Sequence, residues 1–155
     1  MRARLPRDWP LLLAIALLWA GSLALPALAA GGRVFTGFEL LMDGWQGLSR
    51  GVYAWLANPL FAAALACAVL AREALAALFS TLAAALGGSS VFVESALRER
   101  MASVPEIDLR IGFYLWMIAL VALCLRALTC AVVSRRRVPA KSGPRHSAYS
   151  GKSRD

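Results

Sequence analysis

Histidine occurs once and cysteine three times in this chain of 155 residues. The histidine, His146, stands in a polar C-terminal stretch far from any carboxylate pair, so a histidine-based metal site or general base is not expected. Cys67, Cys124 and Cys130 all fall in apolar runs and make no CxxC pair, which argues against a disulfide framework. No Gly-rich loop of phosphate-cradling form is present; Gly31-Gly32 and Gly87-Gly88 are bare pairs. Acidic residues number only 9 against 17 Lys and Arg, a net charge of +8. What the chain has in quantity is hydrocarbon, with 59% hydrophobic residues. Soluble domains are about 45–50% apolar on a count that even includes Gly. High apolar content and high charge coexist only if the two are segregated along the chain, as in a multi-spanning membrane protein.

A bilayer core about 30 Å thick takes about 20 apolar helical residues to cross. Four stretches meet this. Trp9–Gly32, Gly51–Ala71 and Ala74–Val93 carry no charge, and Ile111–Ser134 carries only Arg126. Read as one helix, residues 51–93 would be roughly 65 Å long, so the chain turns back at Arg72–Glu73. The expected fold class is all-α: a membrane bundle of four transmembrane helices (about 9–30, 53–71, 74–93 and 111–133) with a short amphipathic helix outside. Residues 1–8 form a cytoplasmic N-terminus, 9–133 the membrane domain, and 134–155 a disordered basic cytoplasmic tail.

The distribution of Lys and Arg orients these spans. With four spans, the N-terminus, the Arg72–Glu73 turn, Arg126 and the tail share one side, with twelve basic residues against Asp8, Glu73 and Asp155. The other side holds Arg33, Arg50, Arg98, Arg100 and Arg110 against six acidic residues. The split is +9 against −1, which places both termini in the cytoplasm. The first segment also has signal-peptide character: a basic start, an apolar run Leu11–Leu25, and Ala27-Leu28-Ala29 in A-x-A form. Cleavage there would leave three spans and the same orientation for them.

On the outer side, Thr36-Gly37-Phe38-Glu39 has capping-box form. Phe38, Leu41, Met42, Trp45 and Leu48 then recur at helical spacing, which predicts an amphipathic helix ending near Gly47 or Gly51. Phe35, Phe38, Trp45, Tyr53 and Trp55 precede the second span, and Phe113, Tyr114 and Trp116 open the fourth. They read as an aromatic interface belt, with an aromatic cage as the alternative. Pro59 disfavours α geometry at Asn58, so the second membrane helix is expected to begin there. Rows of small residues, Ala76/Ser80/Ala84/Gly88 and Ala63/Cys67/Ala71, predict close packing of two antiparallel helices. Glu94–Val104 reads as a solvated helical extension stopped by Pro105, with Glu94 and Glu99 at the helix mouth as the alternative, a substrate or ion site.

Arg126 is the sole ionisable group inside a span, and an intramembrane charge is a functional candidate by default. It lies nine residues before Arg135, close enough to snorkel to the headgroups. The basic tail favours anionic lipid headgroups over nucleic acid as its partner.

The strings TGFELL at 36–41, Gly44-Trp45, WLANPL at 55–60 and GFYLW at 112–116 resemble those of a family of small, uncharacterised bacterial multi-spanning inner-membrane proteins. The match covers roughly residues 35–125. The resemblance implies a bacterial cytoplasmic-membrane location and a structural unit joining the outer loop, Asn58-Pro59 and the start of the fourth helix. It brings no activity or cofactor with it.

Three functions remain in competition. The leading one is a non-enzymatic protein acting through helix or outer-loop contacts with a membrane partner or a second copy. A small oligomeric transporter or channel would draw its polar stripe from Ser80, Thr81, Ser89, Ser90 and Glu94. A membrane enzyme would rely on Glu39, Asp43 and Glu94, with no base, nucleophile or metal cluster beside them. The candidate residues are Thr36, Glu39, Trp45, Trp55, Asn58, Pro59, Glu94, Tyr114, Trp116 and Arg126.

Overall fold

The computed structural model of the chain describes residues 8–50, 53–100 and 108–136, with side chains at all of these except 50, 92–100 and 135–136. Within them the protein is mostly helical. Helix α1 (Trp9–Ala24) leads into strands β1 (Pro26–Ala30) and β2 (Arg33–Thr36), then helix α2 (Gly37–Asp43) and a 3-10 segment Gly44–Arg50. A 3-10 turn at Ala54–Leu56 opens α3 (Ala57–Val69), followed by α4 (Glu73–Arg100), β3 (Asp108–Leu109) and α5 (Ile111–Arg136). Helix α4 packs between α3 and α5, and α1 packs on α5.

The helices obey a seven-residue rule. Buried positions are Leu12, Ile15 and Ser22 on α1, and Ala57, Phe61, Ala64 and Ala68 on α3. On α4 they are Ala76, Ser80, Ala83 and Gly87; on α5, Gly112, Ala119, Leu120, Leu123, Arg126 and Ala127. Steps of four and three alternate, which holds a buried face in line along an α-helix. The expected rows Ala76/Ser80/Ala84/Gly88 and Ala63/Cys67/Ala71 are therefore corrected. A strict four-residue step advances about 40° per step at 3.6 residues per turn, so Ala84 and Gly88 rotate off the contact that Ala83 and Gly87 make. A Cβ at Gly87 would lie 2.6 Å from Leu120 Cδ1, the mark of close approach between α4 and α5.

The interior of the bundle is small and the exterior large. Alanines dominate the core, while Leu11, Leu13, Leu17, Leu70, Leu78, Leu82, Ile118, Leu125 and Val132 stand exposed. Two helical stretches, Glu73–Val91 and Ile111–Ser134, are long and apolar enough to cross a membrane, and only 28% of each is buried inside the bundle. Helices α1 and α3 are shorter apolar helices.

Between α3 and α4 the chain reverses in a tight motif. The Arg72 amide donates to the Cys67 carbonyl at 2.8 Å and the Ala71 amide to the Ala68 carbonyl at 3.1 Å. This 6→1 and 5→2 pattern is a Schellman cap, which requires a left-handed residue at its centre. Ala71 supplies it, at φ +55°, without the freedom of a glycine.

An all-α expectation needs correcting at the other end, where a three-stranded antiparallel sheet of order β2-β1-β3 caps the bundle. Leu28 pairs with Phe35 and with Leu109, and Ala29 with Val34 and with Asp108. Gly31 and Gly32, both at positive φ (+58° and +78°), form the two-residue turn of the β1–β2 hairpin. Positive φ at both central positions is the requirement of a type I′ turn, which matches the twist of paired strands. The Ala27-Leu28-Ala29 string thus forms the middle of the central strand, with Ala27 buried.

The outer amphipathic helix is shorter than its periodicity suggested. Helix α2 ends at Asp43 and the chain tightens to 3-10 geometry from Gly44. At that point Trp55 packs close: a Cβ at Gly44 would meet Trp55 Cδ1 at 2.6 Å. Helix α3 begins at Ala57, beside the expected start at Asn58-Pro59, and Pro59 occupies its first turn, where its missing amide hydrogen is not needed. Helix α4 runs on to Arg100, as the extension after Val93 predicted. Met101, Val104 and Pro105, the side chains of Glu94 and Glu99, and the basic tail beyond Arg136 lie outside the described residues.

Candidate functional site

Two constellations of polar groups mark opposite ends of the bundle. At the end where α1 and α4 begin, Arg126 of α5 is held by two carboxylates. Its Nε donates to Asp8 Oδ2 at 2.6 Å, and Nη1 and Nη2 donate to Glu73 Oε2 and Oε1 at 2.7 and 3.1 Å. The side chain of Arg126 is 5% exposed, that of Glu73 18% and that of Asp8 32%. The expected snorkelling of Arg126 to headgroups is therefore corrected: the guanidinium is turned inward, because its planar fork matches one carboxylate bidentately and a second from the side. Asp8, just ahead of α1, is held below the ordinary carboxylate range, first by the hydrogen bond from Arg126.

Sequence distance concealed this triad, since Asp8 and Glu73 stand 118 and 53 residues from Arg126. A signal was nevertheless there. Both acidic residues sit at helix starts on the side assigned to the basic face, at the depth Arg126 would occupy near the end of an antiparallel helix.

At the opposite end, Asn58 is the hub. Its Oδ1 accepts the indole N–H of Trp19 at 3.3 Å and that of Trp116 at 2.9 Å, while Nδ2 donates to the Trp55 carbonyl at 3.2 Å. Indole nitrogens only donate, which fixes the orientation of the amide. The Trp55 indole in turn donates to the Leu41 carbonyl at 2.7 Å. Trp19 stacks on Phe61 with centroids 5.5 Å apart. One amide thus ties α1, α3 and α5 together, and Trp55 extends the tie to α2.

The expected aromatic belt divides in two. Phe38, Trp45, Tyr53 and Tyr114 are exposed as a belt requires. Trp55 and Trp116 instead point into the cap, because a half-buried indole N–H seeks an acceptor and Asn58 and Leu41 provide two. Trp19 was missed altogether: within an apolar run nothing distinguishes it from a lipid-facing residue.

Thr36 and Glu39 complete the capping box foreseen for them. The Glu39 amide donates to Thr36 Oγ1 at 3.3 Å, and the Thr36 amide donates to Glu39 Oε2 at 2.8 Å. The Thr36 amide, then its hydroxyl, hold the Glu39 carboxyl below its usual range. These two residues shape the start of α2. Trp45 and Pro59 lie exposed, and Glu94 belongs to α4 with its side chain outside the described residues.

Beneath the cap, between sheet, α2 and the ends of the long helices, lies a half-open cavity of about 350 Å³. Leu23, Leu41, Trp55, Leu109, Phe113 and Trp116 are among the residues of its wall. Asn58, Ser22 and Ser90 also line it, but their polar atoms are engaged: Ser22 donates to the Trp19 carbonyl and Ser90 to the Gly87 carbonyl. Among the described residues no buried side-chain nitrogen or oxygen lacks a partner.

Gly37 and Gly112 let the cap seat on the bundle. A Cβ at Gly37 would lie 2.6 Å from the Ser22 carbonyl oxygen, and one at Gly112 would lie 2.8 Å from both the Leu25 and Pro26 oxygens. The Gly37 amide donates to the Leu25 carbonyl and the Arg110 amide to the Ala27 carbonyl, each at 3.0 Å. Among the described residues no group of three or more His, Cys, Asp and Glu is placed to hold a metal ion. Comparison of the chain with family models, with curated proteins and with solved structures gave no match.

Proposed function

We propose that this is a multi-pass integral membrane protein, non-enzymatic, that acts by presenting a rigid outer cap and its helix faces to membrane partners. The observation that carries the membrane reading is the inverted packing. Alanine, glycine, serine and a paired arginine make up most of the interior, beside Leu12, Ile15, Phe61, Leu120 and Leu123, while many leucines, valines and isoleucines lie on the outside. Water would penalise that surface heavily, and hydrocarbon would not. Small residues at helix contacts are what packing in lipid selects, since lipid gives helices no hydrophobic reason to associate.

In this reading α1, α3, α4 and α5 all cross the bilayer. Helices α1 and α3, 16 and 13 residues long, are extended at their outer ends by the cap. Residues 26–30 are retained, because their strand joins β2 to β3. The membrane is the cytoplasmic membrane of a bacterium, in keeping with the family that the TGFELL, WLANPL and GFYLW strings resemble. The cytoplasmic side carries the Asp8–Arg126–Glu73 triad and the basic tail, which engages anionic headgroups. The outer side carries the sheet and α2.

The cap supports the contact role because it is fixed at several points rather than tethered as a loop. It also exposes Val34, Phe38, Met42 and Trp45. A transporter or channel loses support: Ser80, Thr81, Ser89 and Ser90 each donate back to a carbonyl of their own helix. Affinity purification in mild detergent tests the contact role. A stoichiometric partner or homo-oligomer lost on Phe38→Ser with Trp45→Ser is expected; a lone monomer under every gentle condition would count against it.

A further inference from the structure

We propose that the cavity beneath the cap is a binding site for one acyl chain of a bilayer phospholipid. The inference rests on the membrane reading and adds a ligand to it. Three observations select hydrocarbon of this shape. First, the wall is built from leucine side chains and aromatic rings, and the polar side chains that reach it are already committed to partners within the protein. A polar metabolite would find nothing to orient it.

Second, the cavity is about 350 Å³, at the small end of the range of about 300–1,000 Å³ for ligand sites, which suits one slim hydrocarbon chain. Third, α2 and α5, which both contribute to the wall, also carry exposed apolar residues, Phe38 and Met42 on α2 and Ile111 and Tyr114 on α5. In the proposed complex the chain enters sideways without its headgroup leaving the interface.

Tryptophan fluorescence reads occupancy directly, since Trp55 and Trp116 line the cavity. The full-length protein carrying Trp9→Phe and Trp45→Phe, both exposed positions, is reconstituted in vesicles of phosphatidylcholine brominated in mid-chain and in unbrominated vesicles. The expected result is at least a twofold loss of emission in brominated lipid. That loss is cut to half or less by Ser90→Phe and, from another wall, by Ala54→Leu, while Leu125→Phe on the exposed surface leaves it unchanged. Circular dichroism confirms that each variant is folded.

Equal quenching in folded plugged variants, or none in the parent, overturns the proposal. Brominated fatty acid in unbrominated vesicles forms the second arm. Quenching by the fatty acid without quenching by the phospholipid overturns the assignment to a bilayer lipid. Resistance to alkaline carbonate extraction, measured on the same vesicles, separates the two readings. A protein that is extracted refutes membrane integration itself, whereas an integrated protein without cavity quenching refutes only the acyl-chain site.

Discussion

Replacing Arg126 with methionine removes three hydrogen bonds in one step and leaves two carboxylates facing each other with no cation. Removing one partner of a buried ion pair costs about 3–5 kcal/mol, because the other charge stays desolvated. Here Glu73 retains 18% and Asp8 32% side-chain exposure, so solvent and protonation relieve part of the penalty and about 2–4 kcal/mol is expected. The companion experiment neutralises everything at once. Asp8→Asn, Glu73→Gln and Arg126→Met together leave no orphaned charge, and a buried ionic cluster replaced as a whole is often close to neutral. Unfolding in mixed micelles titrated with sodium dodecyl sulfate, followed by circular dichroism, gives both values. The single variant should fall by about 2–4 kcal/mol and the triple variant should recover all but about 1. A snorkelling arginine makes the opposite forecast, since methionine in a lipid-facing position is harmless. An Arg126→Met variant within about 0.5 kcal/mol of the parent, or a triple variant no better than the single, would refute the triad as the lock between α1, α4 and α5.

The same cluster sets an acid limit. Because Asp8 titrates below its ordinary value of 3.8 in the folded chain, its contribution is fully present above that pH and is lost as the pH falls through the depressed value; thermal melts of Asp8→Asn against the parent should converge only in strong acid. Asn58→Leu should cost about 2–3 kcal/mol, since it strands the indole N–H groups of Trp19 and Trp116, and an unchanged melt would remove Asn58 as the hub. Ala71→Gly should raise stability by about 0.5–1 kcal/mol by relieving a left-handed alanine. Gly112→Ala should cost about 1–3 kcal/mol through clashes with the Leu25 and Pro26 carbonyls. Gly88→Ala, with nothing within 4 Å of the added methyl, should be neutral or stabilising by the same melts.

The helices were legible because apolar runs and charge breaks are local properties, and the starts of α4 and α5 in particular follow from them. Their contact faces were less so. An i+4 rule and an i+3/i+4 alternation pick the same residue for a turn or two and then diverge, which is why Ala76 and Ser80 were placed correctly and Ala84 and Gly88 were not. The sheet escaped for a different reason. Pro26–Ala30 is alanine-rich, with no β-branched residue to suggest a strand, and one of its partners, Leu109, lies 81 residues further on. Gly31-Gly32 was the available clue, a two-residue hairpin signal between short apolar runs. At the site, Thr36 and Glu39 were readable from spacing alone. The inward turn of Trp55 and Trp116 depended on Asn58 as acceptor, and the pairing of Arg126 on two residues that enter from other helices.

The side of the membrane on which the cap and the tail lie can be read by labelling. In a chain with Cys67, Cys124 and Cys130 replaced by alanine, single cysteines at Gln46 in the cap and Ser147 in the tail report their side through a membrane-impermeant maleimide. In intact bacterial spheroplasts Gln46→Cys should be labelled and Ser147→Cys should be labelled only after permeabilisation, with the chain resisting carbonate extraction. Labelling of both positions from the same side, or release of the chain by carbonate, would contradict a four-span bundle whose cap faces outward and whose basic tail faces the cytoplasm.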